Sequence, residues 1–460
     1  MKLLYRYLIV LFFLMGTAVS YGQKDPSFSP GHFVWKAGVA RKTITPSTSV
    51  WMGGYASRTS PSEGAVHDLW AKALALEDAK GLRSVLVTLD LVAIPKDFSD
   101  KLRDKIKKTY GLEKAQIILN CSHTHSGPVV GRALHYIYPM KTGDWHKVDE
   151  YTGELEEMLF ELVGESMKNM KPAKIYIQNG ITRFQVNRRN NKENELTGTT
   201  SLKGPNDYAV PVMKVEGTDG NPIAIVFGYA CHPTTLSMNR FSGDYPGFAQ
   251  IELEKMYPGA TALFFQGVGA DQNPLPRRTI PLAKQYGKQL AAAVESVLSG
   301  EMKPQESRLR VKYKEVDIPL AQPLTIEQMQ EVANRNDFEG RWAKGTIAEY
   351  KKEGSFIKTY PYPIQYWKLG NQSLFVMGGE VLVSYGIQLK EWYGQDIFVM
   401  AYANDVMGYI PSAKVIEEGG YEGDTAHRVY GLPAKWDPKI EDIILGGIKE
   451  LVINTINTNQ

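Results

Sequence analysis

The chain has only two cysteines in 460 residues, Cys121 and Cys231, so at most one disulfide is available and a chain of this length does not need it to fold. Beyond residue 22 no run reaches about 18 consecutive apolar residues, the length that crosses a bilayer, so no transmembrane helix is expected. A surplus of one charge sign is also missing. Lys and Arg total 53 against 50 Asp and Glu, for a formal charge of +3. Such a molecule exerts no general pull on nucleic acid, and any attraction for anions must come from local clusters. The stretch Gln266-Gly267-Val268-Gly269-Ala270-Asp271-Gln272-Asn273-Pro274 is glycine-rich but lacks the Lys-Ser/Thr ending of a phosphate loop, which sets a nucleotide aside. Apolar residues at 43% and charged residues at 22% are ordinary for a globular protein, with no sign of disorder or coiled coil.

Residues 1–22 read as a secretory signal. Lys2 and Arg6 supply the positive start, residues 8–15 a short apolar run, and Ala18-Val19-Ser20 the small residues of a cleavage site. The expected protein is exported, to the periplasm or beyond the cell, and the loss of Lys2 and Arg6 lowers its charge to about +1. The mature chain is expected to form one large α/β domain with a mixed sheet, over residues 31–455. Residues 71–77 and 84–90 read as a hairpin-like strand pair, as do 210–215 and 222–229. Further strands are expected at 34–44, 116–120, 262–265, 309–318, 365–369, 373–377 and 398–401. Helical spacing marks 98–110, 148–170, 247–256, 282–298 and 439–452. Residues 300–306 are the best, weak candidate for a domain boundary.

Several loops at the ends of these apolar strands carry metal-ligand and acid–base residue types. His123 and His125 follow the strand at 116–120, and side chains two apart in an extended segment point the same way. His232 follows the strand at 222–229, within Cys231-His232-Pro233-Thr234-Thr235. Glu380 follows a strand and two glycines that permit close backbone approach. Tyr409 ends the run Asn404-Asp405-Val406-Met407-Gly408-Tyr409. Sites in open α/β sheets gather at such strand ends, so the convergence weighs more than any one motif. Cys121 and Cys231 are not expected to be ligands. Arg188-Arg189 and Arg277-Arg278 have the forked chemistry that suits carboxylate, sulfate or phosphate.

The run Asn120-Cys121-Ser122-His123-Thr124-His125-Ser126-Gly127-Pro128 resembles the signature of the neutral, non-lysosomal ceramidases. So do Met52-Gly53-Gly54-Tyr55, Val186-Asn187-Arg188, His232-Pro233-Thr234-Thr235 with Ser242-Gly243-Asp244, and Tyr421-Glu422-Gly423, in the right order over residues 36–433. The resemblance implies one zinc per chain, held by His123, His232, Glu380 and Tyr409. It also implies that His125 touches substrate or oxyanion, that Arg188 is an active-site arginine, and that the loop with Asp271 and Asn273 reaches towards the metal. Asn273 stands where the ceramidases carry a serine implicated in catalysis, and an amide is no nucleophile. The ceramidases also continue into a further β-rich domain, which this chain is not expected to have.

The resulting expectation is an exported zinc-dependent enzyme that hydrolyses an amide, ester or related bond with metal-activated water. An alternative is a zinc-assisted lyase or dehydratase acting on an acidic, uronic or sulfated, oligosaccharide in polysaccharide degradation, with Tyr409 or His125 moving the proton. A third is a non-catalytic, zinc-bearing binding protein. The expected partner is a small molecule or an oligosaccharide, anionic if the arginines bind it, and not nucleic acid; no transmembrane segment is expected.

Overall fold

Strand-period alternation with apolar residues at both phases asks for a sheet buried on both faces. The computed structural model, which describes residues 34–457, contains such a sheet; the expected signal segment lies outside these residues. Its strands are β1 (Trp35–Thr43), β2 (Trp70–Glu77), β3 (Arg83–Leu89), β4 (Ile117–Cys121) and β5 (Lys171–Ile181). After a short β6 (Gln185–Asn187) come β7 (Ala209–Gly217), β8 (Pro222–Tyr229) and β9 (Thr261–Gln266). The order is β4-β3-β2-β1-β5-β7-β8-β9, antiparallel except for the parallel pairs β3–β4 and β8–β9. Short β10 (Gln272–Pro274) pairs with β6, and β11 (Lys303–Pro304) with β5. A second sheet joins β12 (Leu309–Pro319), β13 (Thr359–Leu369), β14 (Gln372–Met377) and, beyond a two-residue β15 (Glu380–Val381), β16 (Phe398–Met400). β17 (Tyr409–Ile410) runs parallel to β15.

The alternation decides the layers. In β2, Ala71, Ala73 and Ala75 face the core under helices α1 (Lys96–Tyr110) and α2 (Thr142–Lys168), while Leu74 and Leu76 face the second sheet. In β8 and β9, Ile225, Phe227, Ala262 and Phe264 face α3 (Asp244–Met256) and α4 (Ile280–Leu298), and Val226, Leu263 and Phe265 face the second sheet. Leu374, Val376, Phe398 and Met400 answer from that sheet. Each such fully buried side chain contributes roughly 1.5–3 kcal/mol. The outer side of β12 and β13 is covered by the last helix, named α10 below. The long sheet also curls: the Gln266 N–H at the end of β9 donates to Asn120 Oδ1 in β4 at 2.9 Å, so strands from opposite ends of the order meet. Residues from both sheets therefore reach one place.

The remaining helices are α5 (Ile326–Ala333), α6 (Phe338–Glu353), α7 (Val383–Tyr393), α8 (Ala413–Glu418), α9 (His427–Tyr430) and α10 (Ile440–Asn457). The expected strands and helices are present, and the mixed α/β class with a large mixed sheet holds. Among the longer elements, four were not legible. β5 begins Lys171-Pro172, which reads as a stop, yet a proline is tolerated near a strand start. α5 and α6 bury only a narrow stripe around Met329 and Trp342, and Gly386 interrupts the helical pattern of α7. Residues 300–306 are no gap, because β11 is hydrogen-bonded to the long sheet. Among the described residues no helix is long and apolar enough to cross a membrane. Cys121 and Cys231 are free and buried in separate clusters.

Candidate metal centre

His123 and His125 lie just past the end of β4 in a turn, not in an extended segment, and His123 has a left-handed backbone with φ 62°. Their rings nonetheless meet, with Nε2 atoms 3.1 Å apart. The expected convergence is present for a different reason: the turn, not the pleat, supplies it. His232 follows β8. The three ring systems form one group whose nitrogen atoms all lie within 4.8 Å, a cluster that could hold a metal ion.

Backbone carbonyls fix the tautomers. His123 Nδ1 is 2.6 Å from the Val92 oxygen and His232 Nδ1 is 3.1 Å from the Gly269 oxygen. A carbonyl only accepts, so both Nδ1 atoms carry the proton and both Nε2 atoms present a lone pair. Those lone pairs converge on Glu380 Oε2, at 3.1 and 3.0 Å. Two atoms bound to a tetrahedral zinc at about 2.0–2.1 Å would be separated by about 3.3 Å, so the spacing suits a shared cation. His232 Nε2 makes no hydrogen bond although it is buried, and a lone pair and a carboxylate oxygen, both acceptors, cannot make one with each other. An orphaned lone pair facing a carboxylate is a donor set awaiting a positive charge.

Glu380 and Tyr409 are register partners in the β15–β17 bridge, so their side chains project from the same face. Glu380 also accepts from Tyr402 at 3.5 Å and from Tyr430. Burial alone would raise its carboxyl, but the positive charge that His123 and His232 carry when protonated holds it well below the usual carboxylate range. Burial, helped by Arg188, pushes His232 down to about 4, and burial with the two neighbouring imidazoles pushes His125 well below its ordinary value. His232 and His125 are thus kept neutral beside the carboxylate, and a neutral imidazole next to a carboxylate is a donor set a metal can use. Arg188 donates to the Tyr409 hydroxyl at 3.1 Å and to Glu422 at 2.8 Å.

Both carboxylate oxygens of Asp271 are engaged in packing contacts. Its oxygens accept from the Val383 N–H and from Asn187, so it braces α7 against β6. Its loop matters in another way. The glycine-rich stretch set aside as a phosphate site wraps His232: the His232 N–H donates to the Gln272 carbonyl at 2.9 Å, and Gly269 holds its ring. A Cβ on Gly269 would sit 2.3 Å from the Ala230 carbonyl carbon, so only glycine allows this approach. Asn273 is buried beside Arg188 at the wall of an open cleft of about 500 Å³.

The sequence pattern does not single out Arg58, Tyr402 or Tyr430, and it marks Tyr55 only as part of a motif, without a role. Tyr55 packs edge-on against His125 with centroids 4.8 Å apart, and Arg58 donates to the His125 carbonyl at 2.7 Å. Gly54, at φ +102°, leaves room for the His125 ring, which a Cβ would approach to 2.4 Å. Gly54→Ala is expected to displace His125 and lower any turnover by at least about 10-fold, at a stability cost of about 1–3 kcal/mol. Full turnover with unchanged melting would show that His125 tolerates movement. Four residues of this neighbourhood, His123, Asp244, Tyr402 and Asn404, have positive φ without being glycine, and such strain concentrates at functional sites.

The arginine pairs do not make an anion site. Arg188 and Arg189 are paired with Glu422, Arg189 also with Glu418, and Arg277 with Glu193. These three forks are already filled and Arg278 is exposed, so the acidic-saccharide alternative loses most of the observation that motivated it. A second cleft, of about 510 Å³ and lined by Arg41, Trp70 and Glu254, contains none of these residues.

Fold and site together define an α/β protein with a buried histidine–carboxylate centre able to hold a metal ion. Comparison with known proteins narrows the class. Residues 35–308, more than half of the chain, match the family described as neutral/alkaline non-lysosomal ceramidase, N-terminal, and the chain belongs to that family. Glu380 and Tyr409 lie beyond the matched stretch. The chain is similar to neutral ceramidase B of Dictyostelium discoideum, 26% identical over 243 residues, which are 50% of this chain and 33% of that protein. It is 24% identical to neutral ceramidase 1 of Arabidopsis thaliana over 266 residues, 55% of this chain and 33% of that protein. The match thus spans about a third of the length of these curated relatives. The crystal structure of a neutral ceramidase from Pseudomonas aeruginosa has the same fold, with a TM-score of 0.66 at 18% identity, over 85% of this chain and 71% of that one.

Proposed function

We propose that this chain is a zinc-dependent hydrolase that cleaves an N-acyl (amide) bond, with a catalytic domain over residues 31–455 in an exported protein. The observation that carries the reading is the pair of buried imidazoles, anchored through Nδ1, whose Nε2 atoms lie 3.1 and 3.0 Å from one oxygen of Glu380. His123, His232, Glu380 and Tyr409 would hold the metal; two imidazoles, a carboxylate and a phenol leave room for a further ligand. The metal, when bound, supplies a Lewis acid that polarises a carbonyl oxygen and acidifies water.

The chain's own residues supply the rest. His125, neutral because it is buried, can take up a proton from the attacking water and return it to the departing amine. Arg188, anchored by Glu422, holds the Tyr409 hydroxyl in place. Asp271 acts through packing, as a positioning residue for the loop that carries Asn273. Membership in a ceramidase family supports hydrolysis of N-acyl compounds, while the filled arginine forks favour a substrate without a strong negative charge.

The test combines metal content with product analysis. Elemental analysis of purified protein is expected to give about one zinc per chain, and chelation to abolish turnover of N-acyl lipids, restored on adding zinc back. Reaction in ¹⁸O-water is expected to label the released carboxylate. An unsaturated saccharide product would redirect the reading to elimination, and metal-free protein with full activity would overturn it.

A further inference from the structure

Asn273 sits in the middle of β10, opposite Val186 of β6, and lines the cleft together with Arg188, Tyr421 and Glu422. Only 6% of its surface is exposed, and its Oδ1 has no hydrogen-bond partner. Other buried amides nearby differ. Gln266 and Gln272 also leave an oxygen unpaired, but each is tied down through Nε2, to the Cys231 and Ala230 carbonyls, and neither lines the cleft. A buried acceptor without a partner costs about 1–3 kcal/mol, a penalty that a ligand donor reaching it would remove.

Resting on the hydrolase reading above, we infer that Asn273 is a specificity-determining residue whose Oδ1 accepts a hydrogen bond from the N–H of the scissile amide. The chemistry selects the bond type. A secondary amide brings a donor to the orphaned oxygen and satisfies it. An ester of the same shape brings an oxygen lone pair instead, and leaves two acceptors facing each other in a desolvated place. A site built to bond a substrate N–H rejects the analogue that lacks it far more strongly than an apolar pocket rejects a missing methylene. A serine hydroxyl can turn and donate to an ester oxygen; the carboxamide oxygen cannot, and the Asn273 N–H₂ could do so only by taking the oxygen's place.

The experiment compares N-octanoyl aminomethylcoumarin with the matched O-octanoyl hydroxymethylcoumarin on the zinc-loaded full chain, for the parent, Asn273→Ala and Asn273→Ser. In Asn273→Ala, kcat/KM for the amide is expected to fall about 10- to 100-fold, as for loss of one hydrogen bond in a closed site, and that for the ester by less than about 3-fold. Asn273→Ser is expected to raise the ester-to-amide ratio. Zinc content, measured in parallel, is expected to stay at the parent value. An equal fall for both compounds would overturn the inference, since Asn273 would then act on a group they share, and would leave the hydrolase reading standing. So would no change in either. A parent protein that neither cleaves nor binds either compound would remove both readings together.

Discussion

Glu380→Gln is expected to empty the centre of metal and to lower hydrolysis by about 10³-fold or more, the scale of several kcal/mol of lost electrostatic stabilisation. The carboxylate is the anion that sits between the imidazoles of His123 and His232, with Oε2 at 3.1 and 3.0 Å from their Nε2 atoms. Glutamine keeps the shape and loses the charge. Its amide N–H₂ can donate to both lone pairs, so the variant closes by hydrogen bonds the gap that the parent leaves for a cation. The fold should therefore survive, with a melting temperature at or above that of the metal-free parent. Elemental analysis, turnover and thermal unfolding read the three parts separately. Retained zinc with retained rate would remove Glu380 from the ligand set, and leave the three-histidine cluster as the metal site.

Arg188→Ala should produce the largest loss of stability among the cleft residues, roughly 3 kcal/mol. That is the low end of the cost of leaving a buried charge without its partner, because the Arg188 side chain keeps 22% of its surface in water while that of Glu422 keeps only 5%. Arg189 still contacts the other Glu422 oxygen at 2.9 Å, which also limits the loss. The functional effect is separate. Without the Arg188 fork the Tyr409 hydroxyl loses its donor, and kcat should fall even in protein that is fully folded at the assay temperature. Denaturant unfolding measures the first effect and kinetics the second. Arg188→Lys is expected to recover much of the stability but little of the rate, since one ammonium cannot serve both the phenol and the carboxylate as a planar fork does. Equal recovery of both would reduce Arg188 to a structural ion pair.

Cleft and centre were legible to different degrees, for different physical reasons. The period-2 patterns of β2, β8 and β9 carry their own evidence, because each residue's face follows from its parity and both faces are buried. The end of an apolar strand is likewise visible in the sequence, so His123, His125, His232 and Glu380 stand out as polar residues at such ends without any knowledge of the sheet order. Gly54 and Gly269 were readable as glycines, but what each makes room for was not. Tyr402 and Tyr430, which donate to Glu380, carry no mark that separates them from the other phenols of a 25-tyrosine chain.

Sequence alone determined the alternation that makes a doubly covered sheet, the residue types at the strand ends, and the departure from the family pattern at Asn273. Only the tertiary structure decided which of those ends meet. β4 and β9 are far apart in strand order, and the curl that brings Gln266 to Asn120 is a sum of small twists that no single stretch encodes. The same holds for the arginine forks. Arg188, Arg189 and Arg277 read as free cations until Glu422, Glu418 and Glu193 close on them. For Arg188 and Arg189 the carboxylates come from more than 200 residues away along the chain, and a charge that distant in sequence leaves no local signal. Its effect exists only once folding has brought it within a hydrogen bond.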